Sequence, residues 1–154
     1  MLGPEKACKR GKPKVVLAAF GKHPGWDDHI EDIGLASERL VHVRRRLYVE
    51  GIARNVELGA WDKLEPVQTL PEFHHLLVWR TARDVVVARM WPSRDGKGRA
   101  RYPMVVCAQC CGLSLAWALG HLPAALEDIE RRSVAAATAA WHDGIPVRRP
   151  SNNV

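Results

Sequence analysis

The chain has 154 residues, of which 47% are hydrophobic and 26% charged, and these proportions are typical of one globular domain with its own core. No apolar run is long enough to cross a membrane, and the basic N-terminus lacks a signal-like apolar region, so we predict a cytoplasmic protein without membrane insertion. The formal net charge of +6 comes from the two ends: residues 1–14 carry +4, Arg148 and Arg149 carry +2, and residues 15–147 are neutral, which argues against a nucleic-acid-binding surface.

The hydrophobic pattern predicts four strands, at residues 15–20, 73–80, 85–91 and 102–110. It predicts three helices: one over residues 37–56 with Ser37 as its N-cap, one over residues 114–121, and one from Pro123 onward. The last three strands have short connections, which favour an antiparallel meander. The order β-α-β-β-β-α-α therefore indicates an α/β protein of the α+β type, with a central, largely antiparallel sheet flanked by helices. We predict a basic tail over 1–14, one domain over 15–146 and a polar tail over 147–154.

The four cysteines do not have the spacing of a zinc site. Cys107, Cys110 and Cys111 follow an apolar, strand-like run, and Cys8 is distant from them in the sequence. No second C-x-x-C or Cys/His pair stands at zinc-finger distance. We interpret them as buried thiols in a reducing compartment.

An acidic stretch after the first strand contains every type of side chain that a divalent cation prefers. Asp27, Asp28 and His29 are its central members, with His23 or His75 as further candidates. These carboxylates could also serve as a general acid or base. However, the spacing matches no metal or phosphate-binding motif, and the two aspartates equally suit a turn after Pro24.

The loop before the last strand is rich in glycine and arginine. Its cationic residues could hold a phosphate or an acidic partner, and they are Arg94, Lys97, Arg99 and Arg101. A solvated hairpin tip explains the same charges. We prefer the hairpin tip for the charges alone.

Two motifs together resemble the TagF/ImpM family of type VI secretion-associated proteins. The first is FGKHPGWDDH, residues 20–29, where Gly21, Lys22, Pro24 and Asp28 match the opening of that family. The second is the Gly-Arg-x-x-aromatic-Pro pattern of residues 98–103, directly before an apolar strand. The resemblance extends over residues 15–111. Asp27 and His29 depart from it, because the family has glycine and an apolar residue at these positions.

The resemblance implies a longin-like domain and a non-catalytic, cytoplasmic accessory or regulatory protein without a cofactor. Family members repress secretion after translation through a forkhead-associated scaffold protein, which is the partner implied here. The partner-binding residues implied are Lys22, Pro24, Trp26, Asp28, Arg99 and Tyr102. The residues implied to shape these loops are Gly21, Gly25, Gly98 and Pro103.

Two other functions are compatible with the sequence. One is a small metal-dependent enzyme of the hydrolase type that uses Asp27, Asp28 and His29. The other is a structural subunit that docks on acidic surfaces through its basic tails. Metal binding that depends on Asp28 would indicate the enzyme, whereas salt-dependent binding through residues 1–14 would indicate the structural subunit.

Overall fold

A computed structural model of the protein describes residues 8, 11–59, 72–99 and 102–142. The elements in these ranges are β1 (Lys14–Lys22), β2 (His29–Ile33), α1 (Glu38–Arg44), a π-helical segment (Arg45–Ala53), α2 (Arg54–Glu57), β3 (His75–Arg80), β4 (Asp84–Trp91), β5 (Met104–Cys111) and α3 (Leu115–His142). The fold is mixed α+β, as predicted. None of the helices in these ranges has the length and apolar character needed to span a membrane.

The strands form one sheet in the order β2-β1-β5-β4-β3, and every neighbouring pair is antiparallel. The predicted meander of β3, β4 and β5 is therefore confirmed. Every residue of β5 is buried, because this strand lies at the centre of the sheet and both of its faces are covered. The first helical stretch packs on one face and α3 on the other, and each face has its own apolar cluster.

The sequence prediction lacked one strand. Residues 29–33, which we assigned to the acidic loop, form β2 and pair with β1 from Lys22 opposite His29 to Ala19 opposite Ile33. This strand was missed because its acidic residues obscure the alternation of apolar and polar residues that is typical of a strand. Charged residues are tolerated here because β2 lies at the edge of the sheet. Asp32 lies in β2 and accepts a hydrogen bond from Nε of Arg44 in α1 at 2.7 Å.

The predicted helix over 37–56 is confirmed as a continuous helical stretch that begins at the N-cap Ser37. The hydroxyl of Ser37 accepts a hydrogen bond from the backbone N–H of Leu40 at 3.1 Å. Leu40, Val43 and Tyr48 are buried against the sheet. Val43 and Tyr48 are five residues apart, and the π-helical segment begins between them. Because a π-helix has more residues per turn than an α-helix, both side chains remain on the buried face.

The two helices predicted near the C-terminus are one helix. Pro123 lies inside α3 and does not end it. Residues at four-residue intervals are buried on both sides of the proline, namely Ala118, Leu122, Leu126 and Glu130. This continuous buried stripe offsets the cost of an interior proline, which is about 3 kcal/mol.

The interpretation of all four cysteines as thiols is wrong for two of them. Cys8 and Cys111 form a disulfide that closes 103 positions of sequence. Cys107 and Cys110 are buried thiols, as expected, and burial raises the pKa of Cys107 to about 12.

The predicted tail over 147–154 lies outside the described residues. Lys14, placed in the other tail, begins β1.

Candidate functional site

The two sequence motifs lie side by side at one end of the sheet. β1 and β5 are antiparallel, so Gly21 near the end of β1 stands opposite Met104 at the start of β5. The backbone N–H of Lys22 donates to the carbonyl oxygen of Pro103 at 3.1 Å. Gly21 has φ 114°, and a Cβ at this position would overlap with the same carbonyl oxygen. The close approach of the two motifs therefore requires glycine.

Lys22 is the centre of the site and is almost completely buried. Its side chain is 4% exposed, and its Nζ lies 2.9 Å from Oδ2 of Asp95 and 2.7 Å from Oδ1 of Asp28. The ammonium also lies 5.8 Å from the centroid of the Tyr102 ring, within the range of a cation–π contact. Two carboxylates and an aromatic face thus compensate a charge that has lost its water.

Asp95, in the loop between β4 and β5, joins the second motif to this lysine. Its Oδ1 accepts hydrogen bonds from the backbone N–H groups of Lys97 at 3.0 Å and Arg99 at 2.9 Å. Its Oδ2 accepts from Nε of Arg99 at 2.6 Å. Burial acts to raise the pKa of Asp95, but the bonds from Lys22 and Arg99 outweigh it and hold the pKa well below its usual range. The ionised carboxylate therefore organises residues 95–99 of this loop.

Asp28 and Arg99 form the exposed edge of the site, because their side chains are 72% and 53% exposed. Nη2 of Arg99 donates to the backbone carbonyl oxygen of Asp27 at 2.7 Å and lies 3.6 Å from Oδ1 of Asp28. The hydrogen bond from Lys22, followed by that from His29, lowers the pKa of Asp28. One carboxylate and one guanidinium thus face solvent in positions that the buried ion pairs fix.

Three rings border these charges. The His29 ring lies edge-on to Tyr102, with 4.7 Å between centroids, and edge-on to Tyr48, with 5.7 Å. Tyr48 is buried, and its hydroxyl has no hydrogen-bond partner among the described residues. Burial raises the pKa of Tyr48 well above its usual value. His29 and Tyr102 are half-buried and contribute the aromatic part of the surface.

The loop between β1 and β2 folds back on itself and attaches to the second motif. The backbone N–H of Trp26 donates to the carbonyl oxygen of His23 at 3.0 Å, and that of Gly25 donates to Nδ1 of His23 at 2.9 Å. The backbone N–H of Gly96 donates to the carbonyl oxygen of Trp26 at 2.5 Å. Trp26 is half-buried and packs against the apolar cluster under α3, while Pro24 is half-buried at the turn. Burial lowers the pKa of His23.

The structure does not gather the candidate metal ligands around a common point. Within the described ranges, no group of three or more His, Cys, Asp or Glu side chains is arranged to hold a metal ion. Asp28 and His29 contact each other at 3.1 Å, but Lys22 occupies the same carboxylate oxygen. Nδ1 of His23 accepts a backbone N–H, and His75 lies at the start of β3.

Sequence reasoning missed Asp95. The Asp-Gly pair at 95–96 is a turn signal and could have predicted the bonds to the following N–H groups. Its ion pair with Lys22 has no local signal, because 73 positions separate the two residues. Gly98, by contrast, was anticipated as a shaping residue and has φ 80° with open space around it.

Comparison with known proteins identifies no family for the chain. No model of a protein family matches it, and no solved structure matches it. The chain is similar to a protein named glycerol kinase from Verminephrobacter eiseniae (strain EF01-2), with 27% identity over 138 residues. The similarity covers 83% of this chain and 27% of that protein, so the chain spans about a quarter of the relative's length.

Proposed function

We propose that the chain is a non-catalytic accessory or regulatory protein of a bacterial type VI secretion system. It acts in the cytoplasm by binding a protein partner, a forkhead-associated scaffold of the apparatus, and represses secretion after translation. The resemblance of the two motifs to the TagF/ImpM family provides the identity of the system and of the partner.

The observation that carries the proposal is the ion pair between Lys22 and Asp95. Nζ of Lys22, in the first motif, lies 2.9 Å from Oδ2 of Asp95, in the loop that contains the start of the second motif. The two segments that resemble the family are therefore parts of one site. If the two segments resembled the family only by chance, there would be no reason for them to lie next to each other in the folded chain.

The chemistry of the site suits recognition more than turnover. Lys22 and Arg99 both bond to the carboxylate of Asp95, so these ionic groups hold the loops in place. What faces solvent is a fixed carboxylate and a fixed guanidinium beside half-buried rings. Arginine and aromatic side chains dominate the energetics of protein interfaces, and a surface ordered before binding loses less entropy on association.

Direct binding tests the proposal. We would purify the forkhead-associated protein encoded in the same genome and measure its dissociation constant with the full chain by biolayer interferometry. The test variants are Asp28→Asn and Arg99→Gln, which change exposed groups of the site. The matched controls are Asp128→Asn and Arg132→Gln, which change an exposed ion pair on α3. Thermal melts confirm that each variant is folded.

We expect wild type and both controls to bind alike, and each test variant to bind at least about ten-fold more weakly. Equal binding by all five proteins would contradict the assignment of the surface. Absence of binding to the scaffold would contradict the proposed partner. Metal analysis of the same preparations addresses the hydrolase alternative: one divalent ion per chain in wild type, absent from Asp28→Asn, would favour the enzyme.

The glycerol kinase relative contributes nothing to the proposal. The aligned region is 27% of that protein, so its name describes a chain of which this sequence spans a minor part.

A further inference from the structure

A cavity of 310 Å³ lies at the opposite end of the sheet from the two motifs. Its walls include Asp84, at the first position of β4, and Gln109, near the end of β5, whereas the motif site lies where β4 ends and β5 begins. A strand rises by about 3.3 Å per residue, so an eight-residue strand such as β4 separates the two regions by about 25 Å. The cavity is therefore a separate region of the molecule. Its volume is near the lower end of the range of about 300–1,000 Å³ for small-molecule sites.

The floor of the cavity is polar, buried and ordered. Nε2 of Gln109 donates to Oδ2 of Asp84 at 2.7 Å, and the hydroxyl of Ser37 donates to Oε1 of Gln109 at 2.5 Å. The hydroxyl of Thr81 donates to Oδ1 of Asp84 at 2.5 Å. The negative charge of Asp84 is thus met by donors within the protein, and the N-terminal end of α1 is attached to the sheet through Ser37.

Arg39 brings unused hydrogen-bond donors to this floor. Its Nε lies 3.2 Å from Oδ1 and 3.3 Å from Oδ2 of Asp84, which fixes the guanidinium plane. Neither Nη1 nor Nη2 bonds to any residue in the described part of the chain, although the side chain is only 35% exposed. A guanidinium held at Nε and free at both terminal nitrogens has the geometry that binds a carboxylate or a phosphate by two hydrogen bonds.

Among the residues that the structure describes, the remaining ionisable groups on the cavity wall are Arg83, His42 and Glu38. Arg83 places a second guanidinium on the wall, and His42 an imidazole ring. Glu38 is exposed and adds a carboxylate to the wall outside the floor network. Anion binding therefore depends on Arg39, while Glu38 works against it.

We propose that this cavity binds a small anion that carries a carboxylate or a phosphate group, with Arg39 as its principal ligand. The volume admits a small metabolite. Asp84 holds Arg39 in place and Gln109 holds Asp84, so both act as positioning residues.

Calorimetric titration of the full chain tests this site. The probes are inorganic phosphate and malonate, titrated separately up to about 10 mM at constant ionic strength, with sodium chloride as the non-specific control. Arg39→Lys retains the positive charge but lacks the paired terminal donors. Glu38→Gln removes the opposing carboxylate without touching the floor. Arg131→Gln, on the exposed side of α3, is the control variant.

We expect saturable binding of at least one probe, about ten-fold weaker in Arg39→Lys, tighter in Glu38→Gln and unchanged in Arg131→Gln. Saturation by phosphate alone or by malonate alone identifies the chemical group preferred. The proposal is overturned if neither probe saturates wild type, if sodium chloride gives the same heats, or if Arg39→Lys and Glu38→Gln both bind as wild type does.

Discussion

Nζ of Lys22 and Oδ2 of Asp95 lie 2.9 Å apart in the interior, although 73 positions separate the two residues in the sequence. Asp95 also bonds to the backbone of its own loop, so a single carboxylate fixes both the loop and the lysine. The ion pair therefore connects the stability of the domain to the shape of the proposed binding surface.

Asp95→Asn should destabilise the domain by about 2–4 kcal/mol, because among the described residues it leaves the buried ammonium of Lys22 with only the exposed carboxylate of Asp28. Asp28→Asn should destabilise it much less, since solvent already screens that carboxylate. Urea unfolding of the two variants measures both effects. Equal free energies of unfolding for the two variants would contradict the dominant role of Asp95.

The stability of the protein should decrease in acid partly through Asp95. Its pKa is lower in the folded state than the value of about 3.9 expected in the unfolded chain, so the unfolded state binds the proton first. The stabilisation is therefore complete above about pH 4 and is lost as the pH falls towards the lower, folded-state pKa. Urea unfolding between pH 2 and pH 6 should give a flatter profile for Asp95→Asn than for wild type. Parallel profiles would exclude Asp95 as a contributor.

Reduction of the bond between Cys8 and Cys111 should lower the free energy of unfolding by about 2–5 kcal/mol, because the bond closes a long loop and restricts the unfolded chain. Unfolding with and without a phosphine reductant measures the loss. Cys8→Ser provides the control: it should unfold like reduced wild type and respond no further to reductant. A wild-type transition that the reductant leaves unchanged would show that this bond contributes nothing to stability.

Gly21→Ala should destabilise the folded protein more than Gly98→Ala does. Both glycines have positive φ, so alanine is strained at either position by about 1–2 kcal/mol. At Gly21 the new methyl group would also overlap with the carbonyl oxygen of Pro103 and separate β1 from β5, whereas at Gly98 it meets open space. Thermal unfolding should therefore show the larger decrease in melting temperature for Gly21→Ala. The reverse order would contradict the close approach of the two strands.

Local sequence signals succeeded where the local chemistry is sufficient. Ser37 was identified as an N-cap because its hydroxyl satisfies a backbone N–H three residues away, and that interaction needs no other element. The same reasoning failed at Pro123, where the cost of an interior proline is local but the compensating burial of Leu122 and Leu126 against the sheet is not. It failed again for Cys8, whose partner is at the end of the last strand.

Hydrophobic periodicity and turn residues act over a few positions, so the sequence alone was sufficient to predict the fold class, every strand except β2, and the β3–β4–β5 meander. It also located the two motifs, since each is a short run of residues. Three features could not be predicted from local sequence: the pairing of β1 with β5, the ion pair of Asp95 with Lys22, and the contact of Arg39 with Asp84 through Nε. Ion pairing and burial depend on distance in space, and those distances are set only when the strands assemble into the sheet.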